Sequence, residues 1–315
     1  MSMEQKYQIG FMGTPGFAVP SLEALIKDGR FKVALVITQP DKPVGRSRQL
    51  QASPVKKWAV AASLPVLAPD KVRDNVELFE RLKALDLDTI VVAAYGKILP
   101  QEILDIPKLG VVNVHGSILP KYRGASPIAA AILNGDTATG VTIMKMELAM
   151  DTGPVIGFSE PVGIAADDTT ATLSDKLSQI GAQTLLKYLP DYLDGKITPT
   201  PQDDTQATSV KLINKEDGEI DWQSDAIVIE RKVRAYQPWP SAFTKLDGKI
   251  LKVLRAELLP EVGTPGVVWQ TPDDYPAVFT QNGSLKLLEV QLEGKKSTTG
   301  VDFLRGYPKL LSGLI

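Results

Sequence analysis

The sequence predicts a doubly wound, Rossmann-like α/β domain followed by a small antiparallel, OB-like β-barrel. Three observations carry this. Short β-rich runs alternate with helical patterns through the first two thirds of the chain. Several of those runs are apolar without alternation, as strands buried on both faces are. Beyond residue 208 the texture changes to short strands separated by turn dipeptides. A chain of 315 residues also exceeds what one core usually organises. The expected division is a first domain over 1–195, a linker over 196–208 and a second domain over 209–315.

Each element follows from a local pattern. "YQIGFMG" (7–13) reads as a strand ending in glycine. "VPSLEALIKDG" (19–29) reads as a helix, with Leu22, Leu25 and Ile26 on one face and Gly29 as its stop. "KVALVITQ" (32–39) is the next strand. "SPVKKWAVAAS" (53–63) is a helix with Ser53 as N-cap and Pro54 in its first turn. "NVELFERLKALD" (75–86) is amphipathic, while "TIVVAAY" (89–95) and "GVVNVHG" (110–116) are buried strands. "SPIAAAILNG" (126–135) is a helix capped by Ser126 and stopped by Gly135, and "TGVTIMKME" (139–147) is a strand. A long helix occupies 170–195. "KITPTPQDDTQAT" (196–208) is polar, carries two prolines and has no apolar period, so it reads as the linker. After it come one amphipathic helix (224–237) and strands "AFTKL", "ILKVLRAEL", "GVVWQT", "AVFTQ" and "SLKLLEVQLE". Asp247-Gly248 and Asn282-Gly283 mark turns between some of them.

The composition is that of an ordinary globular protein, 43% hydrophobic and 23% charged. The absence of cysteine excludes disulfides and Cys-ligated zinc or iron–sulfur sites, and fits a reducing compartment. With a single histidine as well, no protein-built transition-metal site is expected, since carboxylates alone suit Mg²⁺ or Ca²⁺. "MSMEQKYQIGFMG" lacks the basic start and apolar core of a signal peptide, and no apolar run reaches membrane-spanning length. A cytoplasmic protein without a membrane partner is expected. A formal net charge of −2 gives no global nucleic-acid footprint, so any RNA contact must rest on local basic groups.

In an open α/β sheet, ligands bind outside the carboxyl ends of the strands. "GFMGTPGF", "VVAAYGKILP" and "VNVHGSILP" end at that edge. Asn113 and His115 lie two apart on one strand, so their side chains leave the same face. An amide beside an imidazole can stabilise a carbonyl oxygen that is becoming an oxyanion, and the imidazole can move protons. Asp151, on a Thr-Gly-Pro turn just past the strand 139–147, is expected at the same edge, where it would orient the imidazole and favour its charged form. No paired nucleophile and base is visible, which points to direct acyl transfer between two substrates. "GTPGF" (13–17) matches neither dinucleotide nor P-loop patterns and reads as a tight turn feeding a helix.

Two basic stretches stand out. Lys42, Arg46, Arg48, Lys56 and Lys57 cluster directly after a strand, forming either a solvated loop or a clamp on an anionic polymer. Arg231, Lys232 and Arg234 on the helix 224–237 are either a solvated face or a contact for RNA backbone.

"NVHGSILPKYRGASPI" (113–128) closely resembles the signature of the folate-dependent formyltransferases. "GTPGFAVPSLEAL", "TQPDKPVGRSRQLQASPVKKWA", "LPVLAP", "VVAAYGKILP", "MDTGP", "KLINKEDGEIDW" and "RAYQPWPSAF" are similar, in order and spacing, to the branch of that family acting on methionyl-tRNA. The resemblance implies formyl transfer from 10-formyltetrahydrofolate, as co-substrate, to the α-amino group of methionine on initiator tRNA, for translation initiation. It places the family's catalytic groups on Asn113, His115 and Asp151. It places folate contacts on Ser117, Ile118, Leu119 and Pro120, and on Ala93, Tyr95, Gly96 and Ile98. It puts an acceptor-stem loop on 40–52, with Arg46 at the key position beside Lys42 and Arg48, and gives the C-terminal domain a part in tRNA binding. A monomer is implied by the resemblance alone. Two positions depart from the pattern: Gly16 replaces an acidic residue, and Thr208-Ser209-Val210 replaces Thr-Tyr-Ala. A sugar-nucleotide formyltransferase and a 10-formyltetrahydrofolate hydrolase stay open as alternatives on the same core, as does a non-enzymatic RNA-binding protein.

Overall fold

The computed structural model describes residues 7–44 and 49–312. In chain order the elements are β1 (Tyr7–Gly13), α1 (Val19–Lys27), β2 (Phe31–Ile37), β3 (Lys42–Val44), β4 (Gln49–Gln51), α2 (Pro54–Ala61) and β5 (Val66–Leu67). Then follow α3 (Val76–Lys83), β6 (Thr89–Ala93), α4 (Gln101–Leu104), β7 (Val111–His115), β8 (Arg123–Gly124), α5 (Pro127–Leu133) and β9 (Ala138–Thr139). β10 (Thr142–Lys145), β11 (Val155–Phe158), β12 (Val162–Gly163), α6 (Thr170–Leu193), β13 (Ser209–Val210) and α7 (Ala226–Ala235) come next. The chain closes with β14 (Ala242–Leu246), β15 (Lys249–Leu259), β16 (Val268–Gln270), β17 (Pro276–Phe279), β18 (Ser284–Leu292), β19 (Thr298–Thr299) and α8 (Gly300–Gly306).

Contacts divide the described chain into two units that are not continuous in sequence. One takes the residues up to Pro127 with Ala138–Gly163 and Ser174–Val210; the other takes Ile128–Thr137, Ile164–Leu173 and the chain from Lys211 onward.

The first unit is organised by a seven-stranded sheet in the order β11-β10-β7-β6-β1-β2-β5. β7, β6, β1, β2 and β5 pair in parallel, as the βαβ rhythm predicts. β6 and β7 are buried along their whole length, which explains why they carry no alternating polar face and why the polar Asn113 and His115 of β7 are buried. Met12, Leu35, Ile37, Ile90 and Tyr95 pack with Leu78 and Leu82 of α3 in one core cluster. The cap read at Ser53 is formed: its Oγ accepts the Lys56 amide at 3.0 Å, a contact worth about 1 kcal/mol to a helix start. β10 departs from the expected pattern, because it pairs antiparallel with both β7 and β11.

In the second unit, β14-β15-β18-β17-β16 form an antiparallel ladder with β19 on the flank of β18. The ladder begins at β14 and ends at β16. Leu246 pairs with Lys249, and the two residues between them, Asp247 and Gly248, have φ of 47° and 75°. That is the two-residue hairpin the Asp-Gly dipeptide predicts. The register of β15 on β18 shifts around Arg255, the usual way a long strand bends. Trp222, Ile229, Val233, Val253, Leu287 and Phe303 fill the core.

Candidate active site

Strand geometry does what the sequence predicts for Asn113 and His115. Both sit on β7 and both are buried, opposite Met144 and Thr142 of β10. Each faces Asp151. His115 Nδ1 lies 3.6 Å from Asp151 Oδ2, and Asn113 Nδ2 lies 3.5 Å from Asp151 Oδ1. On the other side of the ring, Nε2 is 3.1 Å from the Tyr122 carbonyl oxygen. A carbonyl only accepts, so Nε2 carries the proton.

Opposing influences act on the charge of the ring. Burial pushes the imidazole below its usual value of 6.5, and the Asp151 carboxylate and Tyr122 carbonyl oppose this without prevailing. Asp151 and the Tyr122 carbonyl favour the charged ring, as the pairing implies, while burial favours the neutral one and is the largest influence. The 3.6 Å separation is long for a charge-assisted hydrogen bond.

Asp151 also arrives by another route than expected. Because β10 is antiparallel to β7, its last residue, Lys145, lies opposite Val112 and not at the carboxyl edge. The loop from Met146 to Pro154 carries Asp151 back to the histidine. Asp151 has φ of 55°, and its Oδ2 accepts the Gly124 amide at 2.8 Å. Two glycines make the approach possible. At Gly153 a Cβ would lie 1.9 Å from the Lys145 carbonyl oxygen, and at Gly124 (φ 121°) it would lie 2.1 Å from that of Val210.

The loop after β7 is held from several sides. Ser117 Oγ donates to the Lys121 carbonyl at 2.6 Å. Thr142 Oγ1 donates to the Ser117 carbonyl at 2.6 Å and accepts the Leu119 amide at 3.0 Å. Thr208 closes the far end: its hydroxyl accepts the Tyr122 amide at 2.8 Å and its carbonyl the Arg123 amide at 2.9 Å. Ser117 and Leu119 are buried, while Ile118 and Pro120 are half-buried. Ser209-Val210 pairs with Arg123-Gly124 through the backbone, so that departure from the family pattern leaves the ladder intact.

At the end of β6, Ala93 and the Tyr95 side chain belong to the core, and burial pushes the Tyr95 phenol up to about 12. Tyr95 offers its carbonyl, which accepts Thr14 Oγ1 at 2.9 Å and Gln39 Nε2 at 2.8 Å and so ties three strand ends together. Gly96 and Ile98 stand at the surface, Ile98 at 65% exposure. Gly16 opens on free space, where an added Cβ meets nothing within 4 Å.

The basic stretch after β2 is a hairpin of β3 on β4 with Lys42 exposed. Lys56 is paired with Asp41 at 2.8 Å and is not free for a ligand. Arg46 and Arg48 lie outside the described residues. The second basic run is taken up by its own unit. Arg234 makes a two-point pair with Glu230 and reaches the Asp168 carbonyl, while Lys232, its pKa lowered by burial, donates to the Glu219 carbonyl at 2.7 Å. The Arg231 guanidinium lies against Gly135. Among the described residues no cluster of three or more His, Asp or Glu is placed to hold a metal. No described helix is long and apolar enough to cross a membrane.

Residues 8–189 match the formyl transferase family, and 212–308 match the formyl transferase C-terminal domain. The chain belongs to the formyl transferase family. Similar family members include the methionyl-tRNA formyltransferase of Myxococcus xanthus, 45% identical over 97% of this chain and 96% of that one. That of Roseiflexus sp. is 47% identical, over 95% and 92%. Solved structures share the fold at lower identity. The N-formyltransferase of Helicobacter canadensis, with folinic acid and dTDP-3-aminofucose, matches at TM-score 0.66 and 20% identity over 89% of this chain and 98% of that one. HypX of Aquifex aeolicus with tetrahydrofolic acid matches at 0.64 and 18% over 98% of this chain, which spans about half (48%) of that longer one.

Sequence reasoning misses Thr142, Gln202, Arg123 and Thr208, all of which shape this site through hydrogen bonds. Thr142 has a signal, being a hydroxyl directly before the apolar Ile143-Met144 in the strand predicted beside the histidine. The other three have none, because their partners are backbone groups or lie far away in sequence.

Proposed function

We propose that this protein transfers a formyl group from 10-formyltetrahydrofolate to the α-amino group of methionine on initiator tRNA. The observation that carries the reading is the convergence of Asn113, His115 and Asp151 at one buried point. The 45% identity to curated methionyl-tRNA formyltransferases over nearly the whole chain supports the choice of acceptor.

The reduced folate supplies the formyl group on N10. The residues present suit such a ligand: exposed Ile98 offers an apolar surface beside Gly96, and the Ser117–Pro120 loop is pinned by Thr142. The donor set of amide, imidazole and carboxylate fits a reaction in which charge develops on one oxygen. Asn113 Nδ2 donates to the formyl oxygen as that charge grows. The attacking amine has a reference pKa of about 7.7–8.0, lowered further in an ester, so a sufficient fraction is neutral at pH 7. As the carbon–nitrogen bond forms, the attacking nitrogen gives up a proton to the His115–Asp151 pair. The imidazolium so formed stands beside the developing oxyanion, with Asp151 compensating its charge. The proton returns to N10 as the old carbon–nitrogen bond breaks.

The hairpin of β3 and β4, with Lys42 on it and Arg46 and Arg48 in the sequence between its strands, is the proposed tRNA contact. The C-terminal domain, from 209 onward, assists. The protein acts as a monomer in the cytoplasm. The test supplies labelled 10-formyltetrahydrofolate with charged initiator tRNA, with an amino-sugar nucleotide, or with neither. Label on methionyl-tRNA is expected. Label on the sugar, or release as formate without an amine, would replace this reading with one of the alternatives.

A further inference from the structure

We propose that Gln202 is a positioning residue that sets Asp151 against the histidine, an inference that rests on Asp151 taking part in the reaction. Gln202 belongs to the polar, proline-bearing segment 196–208, which reads as a linker. The structure gives it a different character. Gln202 Nε2 donates to the Asp151 carbonyl at 2.8 Å and to the Gly153 carbonyl at 2.7 Å. One amide thus spans the carbonyls either side of Thr152 and fixes the curvature of the turn that carries the carboxylate. Its Oε1 accepts Arg123 Nε at 3.0 Å.

The contacts close into a ring. Arg123 precedes Gly124, and the Gly124 amide holds Asp151 Oδ2 at 2.8 Å. From Asp151 the path runs through its carbonyl to Gln202, to Arg123, and back through the chain to Gly124. Arg123 is itself braced by Asp204 at 2.7 Å. The segment is anchored on both sides of Gln202: Thr200 exchanges two backbone bonds with Val155 at 2.8 Å, and Thr208 bonds the loop after β7. Asp151 sits in left-handed conformation, a state the surroundings must hold in place. Gln202 is the side chain that bonds the backbone of that residue.

Three variants test this: Gln202→Ala, Gln202→Glu and Asp151→Asn. Glu keeps an acceptor for Arg123 and removes both donors to the carbonyls. A misplaced reacting group costs about 10–10²-fold in turnover, so both Gln202 variants should lose that much in kcat with KM for folate and tRNA nearly unchanged. In the Asp151→Asn background Gln202→Ala should add less than about twofold, because it acts through Asp151. A folded Gln202→Glu protein with wild-type kcat, or a Gln202→Ala loss that multiplies fully onto Asp151→Asn, overturns the inference. If Asp151→Asn lowers transfer strongly and both Gln202 variants are silent, this inference alone fails. If Asp151→Asn turns over normally, the reading of the site fails, and this inference with it.

Discussion

Two parts of the site reach the same point by different means. Asn113 and His115 are placed by the sheet: strand alternation and pairing with β10 fix them, and both are buried in a ladder that extends on either side. Asp151 is placed by a loop in left-handed conformation, held by an amide from β8 and a side chain some fifty residues further along. The first kind of placement is local and survives most changes nearby. The second depends on several long-range bonds at once, so it is the one that distant substitutions can disturb.

The largest expected effect lies on the sheet-borne pair. His115→Ala or Asn113→Ala should reduce formyl transfer by about 10²–10⁴-fold, with little change in folate affinity, as read from steady-state kinetics and folate titration. Near-normal turnover would remove them from the chemistry. Next comes Gly124→Ala, which strikes the loop-borne side. Its Cβ would lie 2.1 Å from the Val210 carbonyl oxygen at a φ of 121°. A loss of at least about 2 kcal/mol in denaturant unfolding is expected, together with lost activity. An unchanged midpoint would show that the pairing of β8 with β13 is easily rearranged.

A smaller effect separates the chemistry from the tRNA contact. Lys42→Ala and Arg46→Ala should each raise the apparent KM for initiator tRNA and spare folding and folate binding. Removing one phosphate-binding cation should lower the slope of log affinity against log salt by about 0.7–0.9. A change in folate binding alone would remove the hairpin from the tRNA interface.

The smallest effect concerns pH. His115 is the only histidine, and burial holds its folded pKa below the ordinary 6.5. The unfolded chain therefore binds the proton more readily, and stability falls as pH drops below 6.5 toward the folded pKa. The slope from this one group is at most about 1.4 kcal/mol per pH unit. Compared with wild type between pH 7 and 5, His115→Gln should show a flatter decline in stability. Equal slopes would mean the ring titrates normally and is not held neutral.

The sequence makes legible what local chemistry determines. The Asn113–His115 pair follows from strand period, the Ser53 cap from its hydroxyl before a proline-led helix, and the hairpin at Asp247-Gly248 from two residues that tolerate positive φ. The direction of β10 is not legible, because a short apolar run reads the same in parallel and antiparallel pairing. Nor is the role of residues 200–208: their bonds go to backbone carbonyls and amides of distant loops, which leave no mark on composition. The burial of His115 is illegible for a related reason. Its acidic neighbour can be guessed, but the burial that outweighs it cannot. On α7, the Glu230–Arg234 spacing already points to an internal pair in place of a free basic face.

The central claim is that the imidazole and the carboxylate work as one unit. The direct test is a double-variant cycle on single-turnover formyl transfer to charged initiator tRNA, using His115→Ala, Asp151→Asn and the two combined. Residues acting as a unit are strongly non-additive, so the double variant should be within about threefold of the worse single one. A double variant whose loss equals the product of the two single losses would show that they act independently, and would contradict the account.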